Sequence, residues 1–423
     1  STQAKTLFPY TTLFRSHQRY FPVKTAEGKL LPLFITVRNG GKEYLETVQH
    51  GNERVLRARL ADAQFFFDED RKKSLEEHRE KLKTVVFQQG LGTMYEKTER
   101  LEKLADFIAD AIGADEKAHK HARRAAILSK ADLVTGMVTE FTELQGIMGR
   151  EYAKLDGECE KVAIAIDEHY KPRFAGDSQP QTTAGRIVSL ADKIDTIVGT
   201  FSLGKIPTGS QDPFALRRQA LGLVNMIIEA KYHLSLSAIV AKAMDLYGIE
   251  DEKVRAKMQQ DVADFIRLRL KNVLESIRYD VVDAVLADVD DIYAVALRAK
   301  AVADYVTDAD AAAGIQAFVR VANLAKKAES AEVSADLFQT DAERNLFAAY
   351  EKAAAAVDSD IASESYAEAI TALAALAAPI DTFFDDVMVM DKDEKIKNNR
   401  LGLLKSIDQL VSRIADFTKI VLA

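Results

Sequence analysis

The sequence predicts a mainly α-helical protein with a small β-containing remnant at its N-terminal end, and three observations carry that expectation. Only 8 Pro and 20 Gly punctuate its 423 residues. Between them run long stretches rich in Ala, Leu, Lys and Glu, which are strong helix formers. Convincing strand character is confined to residues 20–48, where LPLFITVRNG is a β-branched and aromatic run closing in an Asn-Gly-Gly turn at Asn39 to Gly41.

Ahead of that run, TLFPYTTLFRS (Thr6 to Ser16) has neither helical nor strand period. It also lacks the continuous apolar stretch and small-residue cleavage pattern of a targeting peptide, because Pro9 and Arg15 interrupt it. The stretch resembles the in-frame translation of a common short-read sequencing adapter. That implies a non-native scar at residues 1–16 and a natural chain interrupted before His17. Residues 17–53 then read as what remains of an upstream sheet-containing domain.

From Asn52 the period becomes helical, with Val55, Leu56, Leu60, Ala63, Phe66 and Phe67 on one face of RVLRARLADAQFFFDED. Further helices are expected at about Lys97 to Ile112 and Glu116 to Phe141, with shorter ones after Gly146 and Gly157. Together they outline a compact helical domain over residues 54–232. Near its end, IPTGSQDPFALRRQALG predicts a loop and a helix start, with Asp212 as N-cap and Pro213 at the first helical position. Residues 233–423 read as a helical linker and a helical bundle, with Ala-rich stretches at Asp308 to Ala313 and Tyr366 to Ala378.

Composition bounds the function. The 48% of hydrophobic residues suffice for buried cores, and the single Cys159 excludes an internal disulfide. No apolar run is read as long enough to span a membrane, so a cytoplasmic location is the default expectation. A net charge of −8 argues against indiscriminate attachment to nucleic acid or anionic lipid while leaving room for a local basic face. No GxGxxG, GxxxxGK[ST], HExxH or GxSxG occurs. Cys159 sits in DGECEKV, among acidic residues that disfavour a thiolate.

Two constellations remain. His119, His121, the Lys130-Ala131-Asp132 stretch, His169 and Asp177 of EHYKPRFAGD, and Asp192 and Asp195 of ADKID follow one another in an order that resembles the HD superfamily of metal-dependent phosphohydrolases. The His-Asp doublet of that family is missing, because Ala131 precedes Asp132, and with it goes an imidazole ligand. Asp132, His169 and Asp192 are therefore expected to be positions of a degenerate site without a metal. The second constellation is basic: Arg267, Arg269 and Lys271 in RLRLK, and Lys395, Lys397, Asn398, Asn399, Arg400 and Lys405 in KIKNNRLGLLK. Cations can hold phosphates and Asn can read base edges, which is the equipment of an RNA reader, although a solvated helix face carries the same residues.

Longer stretches narrow the choice. HQRYFPV, GNERVLRARLADAQFFFDED, LKTVVFQQGLGTMYEKTER, SKADLVTGMVTEFTELQGIMGREYA, IPTGSQDPFALRR, RVANLAKKA and FFDDVMVMDKDEKIKNNRLGLL are similar, in order, to the β subunit of bacterial two-subunit glycyl-tRNA synthetases. The resemblance implies an HD-like helical domain followed by a DALR-like anticodon-binding domain. It implies an aminoacyl-tRNA synthetase subunit that positions tRNA(Gly) for ATP-dependent glycylation by an α subunit, in an α2β2-type assembly without membrane or DNA partners. It implies no catalytic residue and no bound cofactor in this chain, with ATP and Mg used by the holoenzyme. Arg320 and Asn323 of RVANLAKKA join the tRNA-binding candidates Arg267, Arg269, Lys271, Lys395, Lys397, Asn398 and Arg400. The competing readings are an HD-type metal phosphohydrolase and a helical scaffold without an RNA partner.

Overall fold

The computed structural model describes residues 20–174, 176–308 and 310–422. The scar expected at residues 1–16 lies outside them. Strands β1 (Tyr20–Lys24) and β2 (Leu30–Thr36) pair antiparallel, with Tyr20 opposite Thr36. A tight turn at residues 25–29 joins them, and Gly28 takes the positive φ of 81° that it requires. The helices follow as α1 (Leu45–Asp70), α2 (Leu75–Glu80), α3 (Met94–Ala111), α4 (Glu116–Leu128), α5 (Gly136–Glu140), α6 (Ile147–Leu155), α7 (Glu160–Glu168) and α8 (Thr183–Ser202). Then come α9 (Leu216–Ala230), α10 (Leu236–Leu246), α11 (Glu252–Val273), α12 (Tyr279–Val285) and α13 (Ile292–Tyr305). The last are α14 (Ala311–Ala325), α15 (Asp341–Ala362), α16 (Tyr366–Ala374), α17 (Ala377–Asp386) and α18 (Glu394–Ser412).

The chain forms two compact units, one running to Met226 and taking in Ala238–Val262, the other made of Ile227–Ser237 and the chain from Ala263 onward. In the first, α8 is the central element and packs on α3, α4 and α7. Leu101, Leu104 and Ile108 of α3 and Ile187, Ile194 and Ile197 of α8 are buried there at helical spacing. Capping boxes start α2 and α3: Ser74 and Thr93 accept from the third backbone N–H, and Glu77 and Glu96 reach back. In the second unit α14 packs on α17 and α18, and α15 packs on α16, α17 and α18. Phe318, Leu346, Ile370, Phe383, Leu403 and Ile407 are buried at its centre.

Several local expectations give way. The helix expected over residues 116–141 stops at Leu128, and a 3-10 turn at Ala131–Val134 intervenes before α5. Thr135 then caps α5 by accepting from the backbone of Val138. On α1 the inner face is narrower than its apolar residues, since Ala63 and Phe67 are buried while Val55 is exposed. Asp212 does cap a helix, with its two carboxylate oxygens accepting from the N–H of Leu216 at 2.8 Å and Arg217 at 2.9 Å. Pro213, however, lies in the preceding turn, because Ala215 adopts a φ of 53° and the helix begins only at Leu216. Finally, Tyr366–Asp386 is 21 residues long with mean hydropathy 1.4, apolar enough by length and composition to cross a membrane. It is divided between α16 and α17, and Ile370, Leu373, Ile380 and Phe383 are buried within the second unit.

Candidate functional site

In the first unit, helices α3, α7 and α8 and the turn after α4 bring buried ionic groups to one place. Lys130 donates from Nζ to His169 Nε2 at 2.8 Å and to Asp192 Oδ2 at 2.8 Å, and lies 4.1 Å from the Tyr170 ring centroid. His169 Nδ1 is 2.6 Å from the carbonyl of Ile166. A carbonyl only accepts, so Nδ1 carries the proton and Nε2 is the lone-pair acceptor for Lys130. Burial, reinforced by the Lys130 ammonium, holds this imidazole neutral, with its pKa well below the usual range.

Asp192 is shared. Lys97 Nζ lies 2.9 Å from its Oδ1 and 2.8 Å from Asp195 Oδ2, and donates to Thr196 at 2.9 Å. Arg100 adds a 2.7 Å contact to Asp195 Oδ1. Burial pushes the Asp192 carboxyl up, but the ammonium groups of Lys130 and Lys97 outweigh it and hold it well below the usual range. Asp132 stands at the start of α6, where its Oδ2 accepts from Gly146 N at 2.6 Å and Gly149 N at 3.1 Å. Gly149 has no side chain because a Cβ there would meet Ile166 at 2.7 Å and Asp132 Oδ2 at 3.0 Å.

This donor set does not fit a divalent metal. Between His169 and Asp192, where a cation would sit, an ammonium nitrogen is already bonded to both, and the His-Asp doublet lacks its imidazole at Ala131. The remaining members of the expected set lie elsewhere. His119 Nε2 is 3.0 Å from Asp106 Oδ1, and Asp177 accepts from the backbone of Arg173. Asp106, Asp110 and His119 are the group among the described residues whose ligand atoms could converge on a cation, but Arg123 also approaches Asp106, at 3.5 Å.

Lys97 and Arg100 escaped the reading of the sequence. Their signal was there: both fall on the α3 face that carries Leu101 and Leu104, and a cation on an apolar stripe implies a buried counter-charge.

Burial pushes the Asp132 carboxyl up to about 6, against the backbone N–H groups that favour its charge. A raised carboxyl pKa means that the folded state holds the proton more tightly than the unfolded chain. This contribution to stability is fully present below the ordinary carboxyl pKa and is lost as pH rises through about 6. Asp132→Asn keeps an acceptor for both N–H groups and removes the titration. Its stability relative to wild type, from urea midpoints, is expected to improve by roughly 2–3 kcal/mol between about pH 4 and about pH 8. A pH-independent difference would remove Asp132 as the titrating group.

The basic candidates belong to the second unit and meet different fates. Arg400 is buried: Nε donates to Glu343 at 2.7 Å, and NH1 donates to Asp391 at 2.8 Å and to the Met388 carbonyl at 3.0 Å. Its reading as an RNA contact is corrected to an internal ion pair. Arg269 is also buried, donating to the Phe265 carbonyl at 2.9 Å with its guanidinium 3.8 Å from the Phe265 ring centroid. Arg267 bonds the Leu286 carbonyl and Asp264, Lys271 pairs with Asp283 at 2.6 Å, and Arg320 with Asp381 at 2.8 Å while lying against the Phe384 ring. Lys397 pairs with Glu394 within its own helical turn. Lys395, Asn398 and Asn323 are exposed. Lys395 and Asn398 also line a cavity of about 710 Å³ together with the loop residues Glu329, Ser330 and Ser334. Asn399 forms its wall, exchanging hydrogen bonds with the Ser334 backbone at 2.7 and 3.1 Å.

A family model described as glycyl-tRNA synthetase beta subunit matches residues 10–287, and one described as DALR anticodon binding domain matches residues 315–421. The chain is similar to the glycine–tRNA ligase beta subunits of Desulforamulus reducens, 48% identical over 415 residues, and Clostridioides difficile, 48% over 414. That of Geobacter metallireducens is 48% identical over 411. Each alignment takes in 97% of this chain and 60% of the relative, so the chain spans about three fifths of the length of these proteins.

Proposed function

Because the chain belongs to the glycyl-tRNA synthetase beta-subunit family and carries a DALR anticodon-binding domain, we propose that it acts as the tRNA-holding part of a glycine–tRNA ligase. The reaction is ATP, glycine and tRNA(Gly) giving glycyl-tRNA, AMP and pyrophosphate. Glycine activation falls to a separate α subunit, and a hetero-oligomer of α2β2 type working in the cytoplasm with ATP and Mg is the assembly that fits this role. The observation that carries the reading is the anticodon-binding match over residues 315–421, within which the Lys395 and Asn398 side chains line an open cavity. An ammonium and a carboxamide at one opening can hold a phosphate and a base edge together. The metal hydrolase reading is not favoured, since the Lys130 ammonium already bridges His169 and Asp192.

The test compares binding of tRNA(Gly) and an unrelated tRNA across a salt series, with and without the α subunit. Asn398→Ala is expected to weaken tRNA(Gly) by about 1–3 kcal/mol, and Lys395→Ala to lower the salt slope by about one. Both residues are exposed, so melting should not change. Equal affinity for the two tRNAs in every arm would defeat the proposal.

A further inference from the structure

Beside the Lys130 cluster lies a cavity of about 480 Å³, within the range of small-molecule sites. Its cations differ in what they have left to give. Lys97 faces Asp192, Asp195 and Thr196, and Lys130 gives two of its three N–H groups to His169 and Asp192 with its Nζ 4.1 Å from the Tyr170 ring centroid. Lys193 donates to the Lys171 carbonyl at 2.8 Å and to Ser189 Oγ, which leaves one ammonium hydrogen. Arg173 uses a single nitrogen, NH2, on Asp167 and two backbone carbonyls, and its Nε and NH1 are spare. Arg218 is exposed and makes no ion pair or hydrogen bond among the described residues.

Uncommitted cationic donors therefore gather at one cavity, whose lining also bears the acidic groups Asp192 and Glu143. Asp192 is neutralised by two lysines, so the surplus is positive. Burial pulls the Lys193 ammonium down to about 8, as expected where a buried cation lacks a full counter-charge. The lining carries flat apolar surface as well, from Phe87, Tyr170 and Phe214. Gln88, 7% exposed, bonds Thr200 through Nε2 at 3.1 Å, while its Oε1 is buried without a partner. A buried acceptor left empty costs about 1–3 kcal/mol and is satisfied by a ligand that brings a donor.

We propose that this cavity binds a nucleoside phosphate, with the phosphate on Arg218, Arg173 and Lys193 and a donor of the nucleoside on Gln88 Oε1. The phosphate has two possible sources, a free mononucleotide or the end of an RNA strand, and the chemistry is common to both. The site is independent of the RNA-binding cavity in the second unit.

Calorimetric titration of the full chain with AMP, adenosine and a short oligoribonucleotide with and without a 5′ phosphate tests it. AMP or the phosphorylated oligonucleotide should bind saturably and its unphosphorylated counterpart much more weakly. AMP alone assigns the free nucleotide, and the oligonucleotide alone assigns the RNA end. Arg218→Ala, at an exposed position, should melt as wild type and bind roughly tenfold more weakly. Absence of saturable binding by every phosphorylated probe at millimolar concentration, or identical affinity in Arg218→Ala, overturns the proposal.

Discussion

Arg400→Ala is expected to destabilise the second unit by about 3–5 kcal/mol and to lower its unfolding transition by on the order of 10 °C. The residue is 4% exposed and its partner Glu343 is fully buried. Glu343 serves two ends: Oε2 accepts from the backbone of Gln339 and Thr340 and closes the capping box of α15, while Oε1 accepts from Arg400 Nε. Removing the guanidinium strands that second oxygen, and the Met388 carbonyl and Asp391 lose their donor as well. The loss of a buried partner costs far more than the pair contributes net, because the remaining charge cannot return to water. A variant that keeps the wild-type melting transition but binds tRNA(Gly) more weakly would return Arg400 to the RNA surface. A lowered transition, with binding lost only in proportion to unfolding, fits the buried pair.

Arg400 also shows where the sequence stops being legible. Density of charge marked residues 395–405 as a basic face, yet of the two carboxylates that claim Arg400 the fully buried one, Glu343, stands 57 positions earlier, in a different helix. No local pattern links them. Periodicity worked where a helix is long and one-faced, as at α3, since the spacing of Leu101, Leu104 and Ile108 is itself the packing signal. It failed at residues 129–135, where the chain leaves α4 and re-enters α5 through a 3-10 turn and a Thr135 cap, with no Pro, and a Gly only at the first residue of α5, to announce the break. The Asp212 cap was legible as chemistry and not as position, because the left-handed Ala215 delays the helix. In the first unit the missing doublet imidazole was readable, whereas its consequence, a lysine bridging His169 and Asp192, required the fold.

That bridge sets the other large effect. Lys97→Met is expected to cost the first unit about 3–5 kcal/mol, measured by urea or guanidinium unfolding. Lys97 is 2% exposed, and Met nearly matches its stem, so little cavity opens against Phe87, over whose ring the ammonium lies at 4.3 Å. The loss is electrostatic. Asp195 keeps Arg100 and Asp192 keeps Lys130, but two carboxylates then share two cations where they had three. The sign of the pH dependence separates this account from simple mispacking. In the wild type the pKa of Asp192 is depressed, so its contribution is present above the ordinary carboxyl range and is lost as pH falls through the depressed value. Without Lys97 that depression shrinks, and the variant's deficit should narrow as the solution is acidified below about pH 4. Lys97→Met, Asp192→Asn together should recover part of the deficit at neutral pH, since the second change removes the under-compensated charge. A deficit that is constant across pH, with no recovery in the double variant, would show that Lys97 acts through its stem and not through its charge.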